Sequence, residues 1–312
     1  MSLETDLLLD RRRLKRRLSF WRSAAVVAVV LAMFAAIRGP DGWGDGLGVE
    51  SSHIERLTVS GIITENRKLT ETVTKLAERD SVRALIVVID SPGGSVAGGE
   101  SLHDAIARVA AKKPVVAVMG GVAASAGYMI AVPTQRIFAR EATITGSIGV
   151  ILQTGEASGL MKTLGVTSEA IISGPLKDQP NFAHPLSEQG RAVLQGLVMD
   201  MYDQFVQMVA TGRHMDPVRV RELGDGRAYS GRQALRLGLV DAIGGEAAAR
   251  EWLAEAKGVS AKLPVNDVSV GGLAERALRG DAEGVLQGIW KSVFSQGVML
   301  DGALAIWQPS RQ

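Results

Sequence analysis

Ser125 stands in the run Gly120-Gly121-Val122-Ala123-Ala124-Ser125-Ala126-Gly127-Tyr128, directly after the apolar, strand-like stretch Pro114 to Met119. Flanked by alanine and glycine at the start of a small-residue helix, its hydroxyl has little steric cover. A substrate carbonyl could reach Oγ, and the Ala126 backbone N–H points to where an oxyanion would form. The pattern suits a nucleophile, and it equally suits a small residue packed at a helix start. A second glycine turn, Asp90-Ser91-Pro92-Gly93-Gly94-Ser95, closes the buried-type strand Ala84 to Asp90 just before another helix. Glycines there let backbone N–H groups approach a ligand closely, as an oxyanion hole requires, although Pro-Gly-Gly is also ordinary turn punctuation. It is not a phosphate loop, because the Lys and Ser/Thr that close that motif are missing.

A serine nucleophile needs a base, and a triad needs histidine. Only His53, His103, His184 and His214 are available. His103 precedes Asp104 on a helix, where neighbouring positions point in different directions. His53 lies beside a glycine-rich linker, and His184 and His214 lie in polar, loop-like contexts. Lysine becomes the leading candidate. Lys177, in Ser173-Gly174-Pro175-Leu176-Lys177-Asp178, follows the apolar run Ala170 to Ile172, and partial burial there would lower an ammonium pKa toward neutrality. On this ground alone it remains one lysine among ten. A cysteine nucleophile, a disulfide framework and a thiolate metal site are excluded, since the chain has no cysteine.

These residues need a scaffold, and the pattern supplies an α/β one. Short β-rich runs at Ile54 to Ile63, Ala84 to Asp90, Pro114 to Met119, Ile137 to Ala139 and Ser147 to Leu152 alternate with helical patterns near Lys68 to Arg79, Val96 to Ala111 and Ser125 to Ala131. Leu186 to Thr211 carries apolar residues at helical spacing, and the second half is mainly helical. The tail from Leu273 to Trp307 is apolar and reads as a helix against a partner subunit or membrane surface, or as ordinary core or a frayed end.

Composition sets the limits. Of 312 residues 46% are apolar and 22% charged, so a substantial core is expected rather than disorder. The net charge of +2 conceals six basic residues between Arg11 and Arg17; the rest is slightly acidic, and nucleic-acid binding is not expected. After that basic run come Phe20, Trp21, Arg22 and the apolar stretch Ser23 to Ile37. This reads as a membrane anchor, short for a core of roughly 30 Å but extended by a snorkelling Arg22 and an interfacial Trp21. Ala35-Ala36-Ile37-Arg38 is a poor signal cleavage site. The basic segment 1–22 should stay cytoplasmic, followed by an anchor over 23–38, a flexible stalk over 39–52, a folded domain over 53–260 outside the cytoplasm, and the apolar tail 261–312.

Taken together, the strand Leu57 to Ile63, Asp90-Ser91-Pro92-Gly93-Gly94, Ala124-Ser125-Ala126-Gly127-Tyr128, Thr145-Gly146-Ser147-Ile148-Gly149-Val150, Ser173-Gly174-Pro175-Leu176-Lys177-Asp178, Gly226-Arg227-Ala228-Tyr229-Ser230-Gly231-Arg232-Gln233-Ala234 and Leu237-Gly238-Leu239-Val240-Asp241 resemble the signal peptide peptidase A family, peptidase family S49, in its short single-repeat form. The resemblance implies a Clp protease/crotonase-like fold of repeated ββα units. It implies Ser125 as nucleophile, Lys177 as general base, Ser147 as the hydroxyl that orients the lysine, and Gly94 and Ala126 as oxyanion donors. Ala126 stands where many members have glycine, which leaves a backbone donor intact. No metal, nucleotide or other cofactor is implied. The family's role implies cleavage of signal-peptide remnants and other membrane-associated peptides by a single-pass protein of a bacterial cytoplasmic membrane. A homo-oligomeric ring is implied, with Ser and Lys of each site from neighbouring subunits. Two other readings are weighed against it: a non-catalytic membrane scaffold that binds peptides or proteins, opposed by the intact Ser125 and Lys177, and a crotonase-type acyl-thioester enzyme, opposed by the anchor.

Overall fold

The β-branched runs pair into one eight-stranded sheet within the residues that the computed structural model describes, Trp21 and 51–269. The first half alternates β1 (His53–Ile63), α1 (Arg67–Leu76), β2 (Val82–Gly94), α2 (Val96–Ala110), β3 (Val115–Ala124) and α3 (Ala126–Ala131), then places two short strands, β4 (Arg136–Ala139) and β5 (Ile144–Gly146), in succession. Single strands, not strand pairs, separate the first three helices. The second half holds α4 (Ser158–Thr163), the long α5 (Glu188–Arg213), α6 (Pro217–Leu223), β6 (Ala228–Ser230), α7 (Gly231–Arg236), β7 (Ala242–Ile243), α8 (Glu246–Lys257) and β8 (Val265–Asp267). The strand order is β6-β5-β3-β2-β1-β8, with β4 joining β3 to β7. All pairs are parallel except β5 with β6.

Residue parity explains the layers. Leu57, Val59, Leu85, Val87, Ile89, Ala117 and Met119 point to one face and pack with Val73 of α1, Ile106 of α2, Ile130 of α3 and Val206 of α5. Ile54, Ala84, Ile86, Val116, Val118 and Phe138 point to the other and pack under Ala249 and Leu253 of α8. With both faces covered, Ala84 to Ile89 becomes the continuous apolar run of a buried parallel strand.

Several expected boundaries move. β2 runs past Asp90 and takes in Gly93-Gly94 as its last two residues, and β3 runs past Gly120-Gly121 to Ala124. α1 stops at Leu76 because Ala77, Glu78 and Arg79 turn to carbonyls three residues back, a tighter winding than the α-helix. α5 starts at Glu188, where the Ser187 hydroxyl accepts the Gly190 N–H. The strand expected over Ser147 to Leu152 is not formed; β5 ends at Gly146, and the positive φ of Ser147 (49°) takes the chain out of extended geometry. Among the described residues no helix is long and apolar enough to cross a membrane. The basic segment apart from Trp21, the anchor over 23–38, the stalk up to residue 50 and the tail beyond residue 269 lie outside the described residues.

One ion pair ties the end of α5 to the chain that follows α7. Arg213 donates from Nη1 and Nη2 to Asp241 at 2.9 and 2.6 Å and from Nε to the Gly238 carbonyl at 3.1 Å, while Asp241 Oδ2 also accepts the Ile137 N–H at 2.7 Å. Burial works against the Arg213 charge, but the bonds to Asp241 outweigh it and hold its pKa above the ordinary guanidinium value. Replacing Arg213 by Met should cost about 2–3 kcal/mol in urea unfolding, below the roughly 3–5 kcal/mol of a fully buried broken pair. The discount reflects the 29% exposure of the Asp241 side chain. An unchanged midpoint would show the pair to be energetically idle.

Candidate active site

Ser125 sits at the junction where β3 turns into α3, with φ 53° and ψ −123°. An L-residue adopts that conformation only when its surroundings impose it, and a sharp strand-to-helix turn of this kind lifts a serine hydroxyl out of the sheet. Its backbone N–H donates to Gly146 O at 2.9 Å and its carbonyl accepts from Tyr128 and Met129, both at 2.9 Å. Although Ser125 occupies the N-cap of α3, its side chain makes no capping hydrogen bond. The main chain is therefore committed and the hydroxyl is not, which is the inverse of an ordinary serine cap.

Three features impose the turn. Tyr128, fully buried, donates its hydroxyl to Leu239 O at 2.8 Å and so pins the first turn of α3; burial pushes its phenol pKa up. Thr145 and Thr143 donate to the Ala123 and Gly120 carbonyls, each at 2.7 Å, which fastens the segment around β5 to the bulged end of β3. Asp90 Oδ1 accepts the Val122 N–H at 3.0 Å from the neighbouring strand. The bulge itself is visible in the register: Ile89 pairs with Met119 but Ser91 pairs with Ala123, so β3 carries two extra residues just before the nucleophile.

The glycine turn reaches the same point from β2. Gly93, at φ 120°, lies so close to Ser125 that a Cβ there would stand 2.8 Å from Ser125 Cβ and 3.2 Å from its Oγ. A Cβ on Gly94 would meet the Ile63 main chain at 1.8 Å. The Gly93 N–H is taken by Ser91 Oγ at 3.1 Å and the Ser95 N–H by Ile63 O at 2.9 Å. On the other side of Ser125, the Ala126 N–H has no acceptor among the described residues. Ser147 follows Gly146, the β5 residue that pairs with Ala124, and its N–H donates to Arg227 O at 3.0 Å. The fold thus brings Ser125, Ser147, Ala126 and the Gly93-Gly94 turn together.

Lys177 is placed differently. It lies in a turn held by its own N–H to Gly174 O at 3.0 Å, and it is exposed, not partly buried as its sequence context suggests. Among the described residues its ammonium has no hydrogen-bond or ion-pair partner, and neither Ser125 nor Ser147 bonds to it. The apolar run before it is no core either: Ile171 is 100% exposed. From residue 151 to residue 189 no residue is buried, and Ile151, Leu160, Leu164 and Phe182 are all open.

The histidines stay away from Ser125. His53, next to the linker, is the first residue of β1 and is buried beside Glu55, at 3.4 Å. His103 Nδ1 does meet Asp104 Oδ1 at 3.0 Å, contrary to the divergence expected of adjacent helix positions, but His103 lines a recess of about 860 Å³ between α2 and α5 that holds none of the predicted site residues. His184 and His214 are exposed. Sequence reasoning assigned no role to the side chains of Asp90, Ser91, Thr143 and Thr145; their spacing at strand ends resembles ordinary turn and strand usage.

The model of peptidase family S49 matches residues 107–260, a stretch that contains Ser125, Ala126, Ser147 and Lys177. The chain is 41% identical over 207 residues to the candidate protease slr0021 of Synechocystis sp., covering 66% of this chain and 75% of that one. It is 38% identical over 213 residues to a candidate signal peptide peptidase SppA of Enterococcus faecium, covering 63% and 61%. It is 33% identical over 187 residues to the chloroplastic serine protease SPPA of Arabidopsis thaliana, covering 60% of this chain and 27% of that longer one. With three quarters of the Synechocystis relative aligned and the matched stretch containing an uncapped serine at a strained strand-to-helix turn, the chain belongs to peptidase family S49 as a serine peptidase of the SppA group.

Proposed function

We propose that the protein hydrolyses peptide bonds at sites formed between copies of itself, with Ser125 of one subunit as nucleophile and Lys177 of a neighbour as general base. The observation that carries this reading is the Ser125 turn, strained, uncapped and pressed against Gly93. The exposed apolar segment around Lys177 supports the second half: a surface of that kind is normally covered by a partner, and the lysine has no bond to the serine of its own chain. Covering the segment would also desolvate the ammonium and favour its neutral form.

Neutral Lys177 takes the Ser125 proton as Oγ attacks the substrate carbonyl, and the ammonium then protonates the leaving amine. The Gly94 and Ala126 N–H groups stabilise the tetrahedral oxyanion. Ala126 N–H is uncommitted, and the N–H groups on both sides of Gly94 are engaged elsewhere. Ser147, next to the Gly146 that holds Ser125, orients the incoming lysine. Water activated by the same lysine then hydrolyses the acyl-enzyme. Substrates are peptides at a membrane surface, signal-peptide remnants among them, delivered to a domain tethered by an anchor over 23–38 outside the cytoplasm.

Labelling the full chain with a fluorophosphonate and locating the adduct by mass spectrometry tests the reading. The adduct is expected on Ser125, in the assembled fraction and not in separated monomer. An assembled sample with no adduct at all would point to the non-catalytic scaffold instead.

A further inference from the structure

Ser91 is fully buried beneath the site, yet it is a polar residue that contacts no substrate position. Its hydroxyl donates to Gly61 O at 2.6 Å and accepts the Gly93 N–H at 3.1 Å. It thereby spans a second bulge: Ser60 pairs with Asp90 but Ile62 pairs with Gly93, so β2 carries one extra residue at this level. On its main-chain side the Ser91 carbonyl abuts Gly127, where a Cβ would come to 2.8 Å, two residues past the nucleophile. The Ser91 side chain therefore joins the end of β1 to the glycine turn, while its main chain packs on the start of α3.

We propose that Ser91 is a positioning residue: its hydroxyl clamps Gly93 to the Gly61 carbonyl and so fixes the direction of the Gly94 N–H toward the oxyanion formed on Ser125. This rests on the reading of Ser125 as nucleophile and Gly94 as donor. The chemistry favours a hydroxyl at this place. A single O–H must donate to a carbonyl of one strand while its lone pair accepts an N–H of the next, which an alanine cannot do and a thiol does weakly. Without it, the buried Gly93 N–H loses its partner and the tie to the Gly61 carbonyl is released, so the turn is free to shift away from the geometry that the oxyanion requires.

The test compares Ser91→Ala with wild type on a peptide ester and on a peptide aldehyde of the same sequence. In the aldehyde adduct Ser125 Oγ bonds to the aldehyde carbon, the C=O π bond opens, and the serine proton passes by way of Lys177 to the new oxygen, which sits where the oxyanion would. Ser91→Ala is expected to lower kcat about 10–100-fold with KM within about twofold, and to weaken aldehyde inhibition in step with kcat. A partly unfolded sample would also lower apparent kcat at unchanged KM, but the folded fraction would bind the aldehyde as tightly as wild type, so the aldehyde affinity separates the two. Should Ser91→Ala fail to fold, Ser91→Cys keeps the volume and supplies only a weak partner. Equal aldehyde affinity in wild type and variant overturns the clamp while leaving the nucleophile standing, as does failure of both variants to fold. A wild-type fluorophosphonate adduct on any residue other than Ser125 overturns both.

Discussion

A one-to-one co-assembly of Ser125→Ala and Lys177→Ala subunits is expected to recover about a quarter of wild-type activity, although each variant alone falls by roughly three orders of magnitude or more. The fraction follows from the geometry of a head-to-tail interface. If each site takes a serine from one subunit and a lysine from the next, then in a random mixture one of the four possible neighbour pairs is intact at both positions. Removing the serine deletes the bond-forming atom, and removing the lysine leaves a hydroxyl with no proton acceptor at neutral pH. If both residues of a site came from one chain, no mixture would restore anything. A mixture that stays inactive, in an assembly shown by mass to contain both variants, would refute the shared site. The prediction is sharp because the described chain leaves Lys177 exposed and unbonded while Ser125 is already held from three sides. Among the described residues Ser125 Oγ has no hydrogen-bond partner, and open apolar surface lies next to Lys177.

The same contrast explains what could be read from the amino-acid string. Ala84 to Ile89 and the helical spacing after Ser95 were legible because burial on both faces and a serine N-cap leave local marks. Both glycine pairs read from sequence as strand ends, since glycine punctuates both a turn and a bulge; only the pairing shows that β2 takes in Gly93-Gly94 and that β3 continues past Gly120-Gly121. The strand expected at Ser147 to Leu152 rested on its apolar content. That content is real, but the Gly146–Ser147 step turns positive in φ and sends the segment out of the sheet. Ala170 to Ile172 suggests a partly buried Lys177 for a related reason: hydropathy reports that a surface wants covering, not whether its own chain covers it. Nor could spacing reveal that Ser91 and Asp90 act through their side chains, because their partners, Gly61 and Val122, are about 30 residues away in opposite directions.

Gly93→Ala should cripple catalysis although it leaves every reacting atom in place. A methyl group at 2.8 Å from Ser125 Cβ is closer than real Cβ contacts come, and the atom it meets belongs to a residue with no freedom to retreat. Ser125 is tied by its N–H to Gly146 and by its carbonyl to the first turn of α3, and that turn is anchored through Tyr128. The clash is therefore relieved by turning Gly93 and Gly94 away or by tilting Oγ off its attack line, and either outcome misaligns nucleophile and oxyanion donor. Displacement of this order costs about 10²-fold or more in kcat/KM, and the φ of 120° adds a conformational penalty of about 1–3 kcal/mol to stability. Gly258→Ala separates the two effects. Gly258 ends α8 at φ 67° with nothing within 4 Å of an added Cβ, so it carries strain without crowding. It should lose about 1–2 kcal/mol of stability and keep its activity. Equal activity in the two variants would mean that the closeness of Gly93 to Ser125 has no part in catalysis. Loss confined to Gly93→Ala, at matched stability, would identify the glycine turn as a wall of the site whose bareness is what lets the serine react.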